Sequence, residues 1–142
     1  MVLISMFKEW RNEQGQLHRL DGPAQMDGEG NNSWYLNGKL HRLDGPALEF
    51  ADGNYSWYLN GKLHREDGPA VEYSYGTKLW WLNGKLHRED GPACELASGD
   101  KRWYLNDKHY TEEEFIKATN PIKELTIAEI EKLLGYSIKV VK

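Results

Sequence analysis

Four histidines of this chain share one setting. The run Leu17-His18-Arg19-Leu20-Asp21-Gly22-Pro23-Ala24 recurs from Leu40, Leu63 and Leu86, at a constant offset of 23 residues. Histidine, arginine and aspartate so close together could ligate a metal, hold an anion or move a proton. Metal ligands must converge to about 2.0–2.1 Å from one ion. Equivalent residues of stacked repeats lie roughly 10 Å or more apart. His18, His41, His64 and His87 are therefore expected to pack and hydrogen-bond within their own units, and no metal is expected.

The Arg and Asp ladders (Arg19, Arg42, Arg65, Arg88; Asp21, Asp44, Asp67, Asp90) are expected to fix the inter-repeat turn. An Asp before Gly accepts turn N–H bonds, and an Arg two residues away can pair with it. The alternative is an anion-binding row of Arg42, Arg65 and Arg88 with Lys62 and Lys85. His-Arg-x-Asp is not a kinase catalytic loop, since the spacing differs and no Gly-rich loop accompanies it. A second block, Trp34-Tyr35-Leu36-Asn37-Gly38-Lys39, recurs from Trp57, Trp80 and Trp103. Its Trp row is expected to form the core, and its Lys row a solvated edge.

A catalytic site is one constellation of converging groups. Residues repeated in every unit are better explained by the unit's own fold. No catalytic residue and no cofactor are expected; recognition should lie where the repeats differ. Those positions hold Phe50, Asp52, Tyr55, Tyr73, Tyr75, Lys78, Leu79, Lys101 and Arg102. Tyr55, Tyr73, Tyr75 and Leu79 gather aromatic and apolar surface in the middle units, and buried aromatic anchors dominate interface energies.

The elements that must carry these residues read as β. Asn60-Gly61 lies between Trp57-Tyr58-Leu59 and Lys62-Leu63-His64, a strong hairpin signal because both turn residues need positive φ. Asp52-Gly53 marks another turn, and Leu48 and Phe50 alternate with Glu49 as in a half-buried strand. One hairpin cannot bury its apolar face alone, whereas stacked neighbours can. The fold class is mainly β: an elongated antiparallel hairpin array with two or three strands per unit. At about 4.8 Å per strand, four units give a rod of roughly 40–60 Å.

Residues 1–16 read as an N-terminal cap, 17–109 as four repeats, and 110–142 as a C-terminal helical cap with a final strand. Trp10 stands one residue out of register, because Arg11 occupies the position of Trp34. Thr111 with Glu114, and Thr126 with Glu129, form capping boxes opening two short helices. The first runs from Glu112 to Thr119 and stops before Pro121; the second ends at Gly135. Tyr136, Ile138 and Val140 then alternate as a strand. This segment reads either as a lid on the open sheet end or as a docking module that forms homo-oligomers.

The unit length, the Trp, the Asn-Gly-Lys turn with its following His, and the Gly-marked hairpin resemble the MORN repeat over roughly residues 17–108. Arg-x-Asp-Gly-Pro replaces the Gly-x-Gly that follows the basic turn in that family, so the unit is MORN-like. The resemblance implies a β-hairpin scaffold that binds proteins, and less strongly acidic lipid. The combination of His-Arg-x-Asp-Gly-Pro-Ala with Trp-Tyr-Leu-Asn-Gly-Lys also resembles repeat proteins of bacteriophages and giant viruses. That resemblance implies a phage-encoded protein that blocks a host protein, such as a defence component.

Composition narrows the partners further. Six Trp and eight Tyr against three Phe favour packing and recognition, and the net charge of −4 disfavours duplex nucleic acid. The lone Cys94 permits no intrachain disulfide, and the start resembles no signal peptide. No run is long and apolar enough to span a bilayer, so no membrane insertion is expected. The expected location is the cytoplasm, that of the host if the protein is phage-encoded. A protein partner is the leading expectation, and a sponge for nucleotides or phosphorylated small molecules the alternative.

Overall fold

The computed structural model describes residues 7–120, 126–135 and 137. Mainly β, it is built on a ten-stranded antiparallel sheet, with three separate two-stranded hairpins beside it. Each repeat supplies both parts. In the second unit Leu48–Glu49 and Tyr55–Ser56 enter the long sheet, and Tyr58–Leu59 pairs with Lys62–Leu63 as the hairpin.

The unit thus has four short strands where the sequence predicts two or three. The reason lies in the backbone of the tryptophan. Trp57 N–H donates to Ala70 O of the next unit (2.7 Å), and Trp57 O accepts from His64 N–H (3.1 Å). These bonds belong to different ladders, so the chain bends there instead of running straight. The hairpins also stack on one another, through Gly61 N–H to Leu40 O (2.8 Å) and Arg42 N–H to Tyr58 O (3.1 Å). Two hydrogen-bonded columns therefore run side by side. Only in the last unit are they continuous, along the single strand Lys101–Leu105.

Both turn types follow their residues. Asn60 and Gly61 have φ of 52° and 82°, the doubly left-handed hairpin turn that the Asn-Gly pair predicts. In the other turn Gly53 has φ 84°, and its N–H donates to Phe50 O at 2.9 Å.

The core row is alanine. Ala24, Ala47, Ala70 and Ala93 are completely buried, at 0% exposure. The Trp row is only half-buried, a correction to its expected place in the core. Ala24, Ala47, Ala70 and Ala93 each accept a backbone hydrogen bond from Trp10, Trp34, Trp57 and Trp80 in turn, which places them at the junction of the two columns.

The N-terminal cap continues the pattern further than its sequence predicts. Lys8–Glu9 pairs with Gln25–Met26. Trp10 N–H donates to Ala24 O (2.8 Å) and Trp10 O accepts from His18 N–H (2.9 Å), the two bonds that Trp57 makes. Trp10 is therefore in structural register. The additional residue is absorbed in the turn, where Asn12 Oδ1 accepts from Gln14 N–H (3.1 Å) and Gln16 N–H (2.9 Å).

At the other end stand α1 (Glu112–Thr119) and α2 (Ile127–Leu134), each with its capping box formed. α2 ends at Gly135 with φ 72°. α1 packs on Lys101–Leu105 and Lys108–Tyr110, and its Phe115 is buried. Trp103 has Thr111 where the other units carry Arg, and the helix lies against it instead. The strand expected from Tyr136, Ile138 and Val140 falls outside the described residues, as does Pro121. No described helix is long and apolar enough to cross a membrane.

Candidate functional site

The repeated His, Arg and Asp residues each have a partner inside the fold. Asn37, Asn60, Asn83 and Asn106 donate their backbone N–H to Nδ1 of His18, His41, His64 and His87, each at 3.2 Å. Each imidazole thus fastens the turn of one hairpin to the end of the hairpin before it, one per repeat. Among the described residues no three His, Cys, Asp or Glu side chains gather as a metal site.

The Arg row is engaged more heavily. Arg42 stacks on Trp34, with Cζ 4.0 Å from the ring centroid. Its Nε donates to Asp44 (3.0 Å), and its Nη1 to Pro46 O (3.1 Å) and Glu49 (2.6 Å). Arg65 and Arg88 repeat this with Asp67 and Glu72, and with Asp90 and Glu95. In the first unit Arg19 keeps Asp21, while Met26 stands at the position of Glu49. The hydrogen bond from each Arg holds Asp21, Asp44, Asp67 and Asp90 below the usual carboxylate range. An anion arriving at Arg42, Arg65 or Arg88 would compete with two carboxylates already in place. Lys62 and Lys85 are exposed, and the stem of Lys62 runs alongside Gly84 of the next turn.

The residues that vary between repeats are divided by strand alternation. Opposite residues of antiparallel strands share a face. Tyr55, Glu72, Lys78, Glu95 and Lys101 are successive opposites and lie on one face. Leu79 and Arg102 lie on the other, with buried Val71 and Cys94. Phe50, Asp52, Tyr73 and Tyr75 sit on the turns that carry Gly53 and Gly76. Tyr73 and Tyr75 stack at 5.1 Å, and Tyr75 is 63% exposed. Phe50 and Tyr55 are also exposed, Tyr55 standing edge-on to Trp57. Burial raises the Tyr58 hydroxyl pKa, with Tyr73 and Tyr35 nearby. The nine candidates therefore form an aromatic turn row with Tyr55, Lys78 and Lys101 alongside, and Leu79 and Arg102 behind the sheet.

Two features are absent from the sequence-based candidates. One is a row of side chains joining successive turns. Asn31 Oδ1, Asn54 Oδ1 and Thr77 Oγ1 accept from Ala51 N–H (2.8 Å), Ser74 N–H (2.8 Å) and Ala97 N–H (3.0 Å). The other is the variable letter inside His-Arg-x-Asp: Leu20 and Leu43, then Glu66 and Glu89. Leu20 and Leu43 are each 84% exposed, whereas Glu66 and Glu89 reach toward Nε2 of His64 (3.7 Å) and His87 (3.5 Å). Comparing that one column across the repeats would have found it. Compared with protein-family models, with curated proteins and with solved structures, the chain matches none.

Proposed function

We propose that this protein is a non-enzymatic repeat rod that binds a protein partner through its aromatic turn row. One contrast supports the reading. The His and Arg ladders find partners inside the fold, whereas Phe50 and Tyr75 on successive turns and Tyr55 on the adjoining strand, which are not repeated, are exposed. Large aromatic side chains held on a rigid scaffold make contact area at little entropic cost. Lys78 and Lys101 flank the row and favour a partner with acidic groups at the rim. The resemblance to viral repeat proteins extends the proposal to a host protein as the target, blocked stoichiometrically.

The test is affinity capture from candidate host lysates with the tagged chain and with a Phe50→Ser, Tyr75→Ser double variant. Both side chains are exposed, so the variant should unfold at nearly the parent temperature. The expected result is a stoichiometric complex that the double variant fails to retain. No retained protein, or equal retention by both baits, would overturn the reading.

A further inference from the structure

Three turns of the array carry a residue pair that can modify itself. Asn37-Gly38, Asn60-Gly61 and Asn83-Gly84 stand at the tips of successive hairpins, exposed to solvent. In such a pair the glycine nitrogen can attack the asparagine Cγ, since no side chain on the glycine shields it. A C–N bond forms, the Cγ–Nδ2 bond breaks, and ammonia leaves with the amide proton. Water then opens the resulting succinimide ring at either carbonyl. The product is Asp, or iso-Asp with the chain routed through its β-carbon. Water is the only co-reactant, and these turns meet it.

In the folded array the attacking nitrogen is held elsewhere. Gly38, Gly61 and Gly84 donate their N–H to the carbonyls of Leu17, Leu40 and Leu63, each at 2.8 Å. Attack on Cγ requires that peptide to turn and its proton to leave. The electrophile is held as well. Oδ1 of Asn37, Asn60 and Asn83 lies 2.8, 3.0 and 3.0 Å from Nδ1 of His18, His41 and His64. The same ring nitrogen takes the backbone N–H of each asparagine. Neither grip comes from the turn's own hairpin. The Leu and His that hold each turn end the hairpin before it. The last turn breaks the pattern, with Asp107 in place of the glycine.

Restacking does not undo the reaction. The succinimide nitrogen has no hydrogen left for the Leu carbonyl. Iso-Asp adds a backbone atom to a two-residue turn, and the turn sets the register of its strands.

We propose that Asn37, Asn60 and Asn83 are self-modification sites kept latent by the stacking of repeats, so that a hairpin which loses its predecessor is marked irreversibly. This inference is independent of the partner proposed for the aromatic turns.

The experiment follows the full chain in mildly alkaline buffer, native and in guanidinium chloride, scoring Asp and iso-Asp at each position by peptide mass spectrometry. The denatured chain sets the rate of released turns. Natively all three asparagines should convert at least about tenfold more slowly, because only an opened turn reacts. His41→Ala removes one grip and should speed Asn60 about two- to tenfold, with Asn37 and Asn83 unchanged. Should a thermal melt show that His41→Ala is unfolded, hydrogen exchange on the parent decides: the amides of Gly38, Gly61 and Gly84 must be protected. Chains converted in denaturant and returned to native buffer should melt below unconverted ones. Native conversion at the denatured rate, an unchanged Asn60 rate in folded His41→Ala, freely exchanging glycine amides, or equal melting after conversion would overturn the proposal.

Discussion

The guanidinium of Arg42 lies over the ring of Trp34, its Cζ 4.0 Å from the centroid, and the backbone of Gly45 approaches it closely. A β-carbon at Gly45 would come within 2.8 Å of Arg42 Cζ. The glycine of Asp-Gly-Pro is thus required for close approach, and not for an unusual φ, since Gly45 is absent from the positive-φ residues. Gly45→Ala should cost about 1–3 kcal/mol by forcing the Arg off its ring. Urea unfolding measures it; an unchanged midpoint would contradict the clamp.

Arg42→Lys keeps the charge but not the fork. The guanidinium reaches Asp44 and Glu49 at once while stacked on Trp34, which a point-like ammonium cannot do. The expected loss is about 1–3 kcal/mol, most of it from the half-buried pair with Glu49 and the stacking. The double variant Arg42→Lys, Glu49→Gln should lose less than the sum of the singles, because the partners are coupled.

Acid should loosen the array. Asp21, Asp44, Asp67 and Asp90 have lowered pKa values, chiefly through hydrogen bonds from their Arg partners. A carboxyl whose folded pKa is depressed contributes stability above its unfolded pKa, about 3.9 for Asp. That contribution fades as pH falls through the lower folded value. Melting temperature should stay nearly level from pH 7 to about 5 and decline below about 4. Asp44→Asn should flatten the decline; an identical pH profile would remove Asp44 from the account.

Asp107 occupies the turn position that glycine holds in the preceding units, with φ 67°. Its Oδ1 accepts from Leu86 N–H at 2.8 Å, tying the last hairpin to the one before. Asp107→Asn should be neutral or slightly stabilising, since Asn tolerates this conformation and keeps the acceptor. Asp107→Ala loses the bond and bears the strain, at about 1–3 kcal/mol in thermal melts.

Phe115→Ala should detach α1 before it unfolds the repeats. The ring is 5% exposed and is the helix's buried anchor. A buried Phe→Ala change costs about 3–5 kcal/mol where the site cannot collapse. Hydrogen exchange should report faster amides at Glu112–Thr119 and unchanged protection in Val71–Glu72. Uniform deprotection would mean that the helix is integral to the array.

The repeat period, the Asn-Gly and Gly-marked turns, the capping boxes and the Arg–Asp pairing were all legible in the chain. They rest on interactions within a few residues, and local backbone preference is written in local letters. The division of each unit into two columns was not, because it depends on Trp57 bonding to Ala70 and His64 at once. Nor was the burial of alanine in place of tryptophan, since each Ala sits where the next Trp backbone bonds to it, a contact between units. The same contact between units placed Trp10 in register despite its sequence offset. Sequence by itself determined what each repeat is made of. Only the packing of one repeat on the next decided which side chains the rod keeps for itself and which it presents.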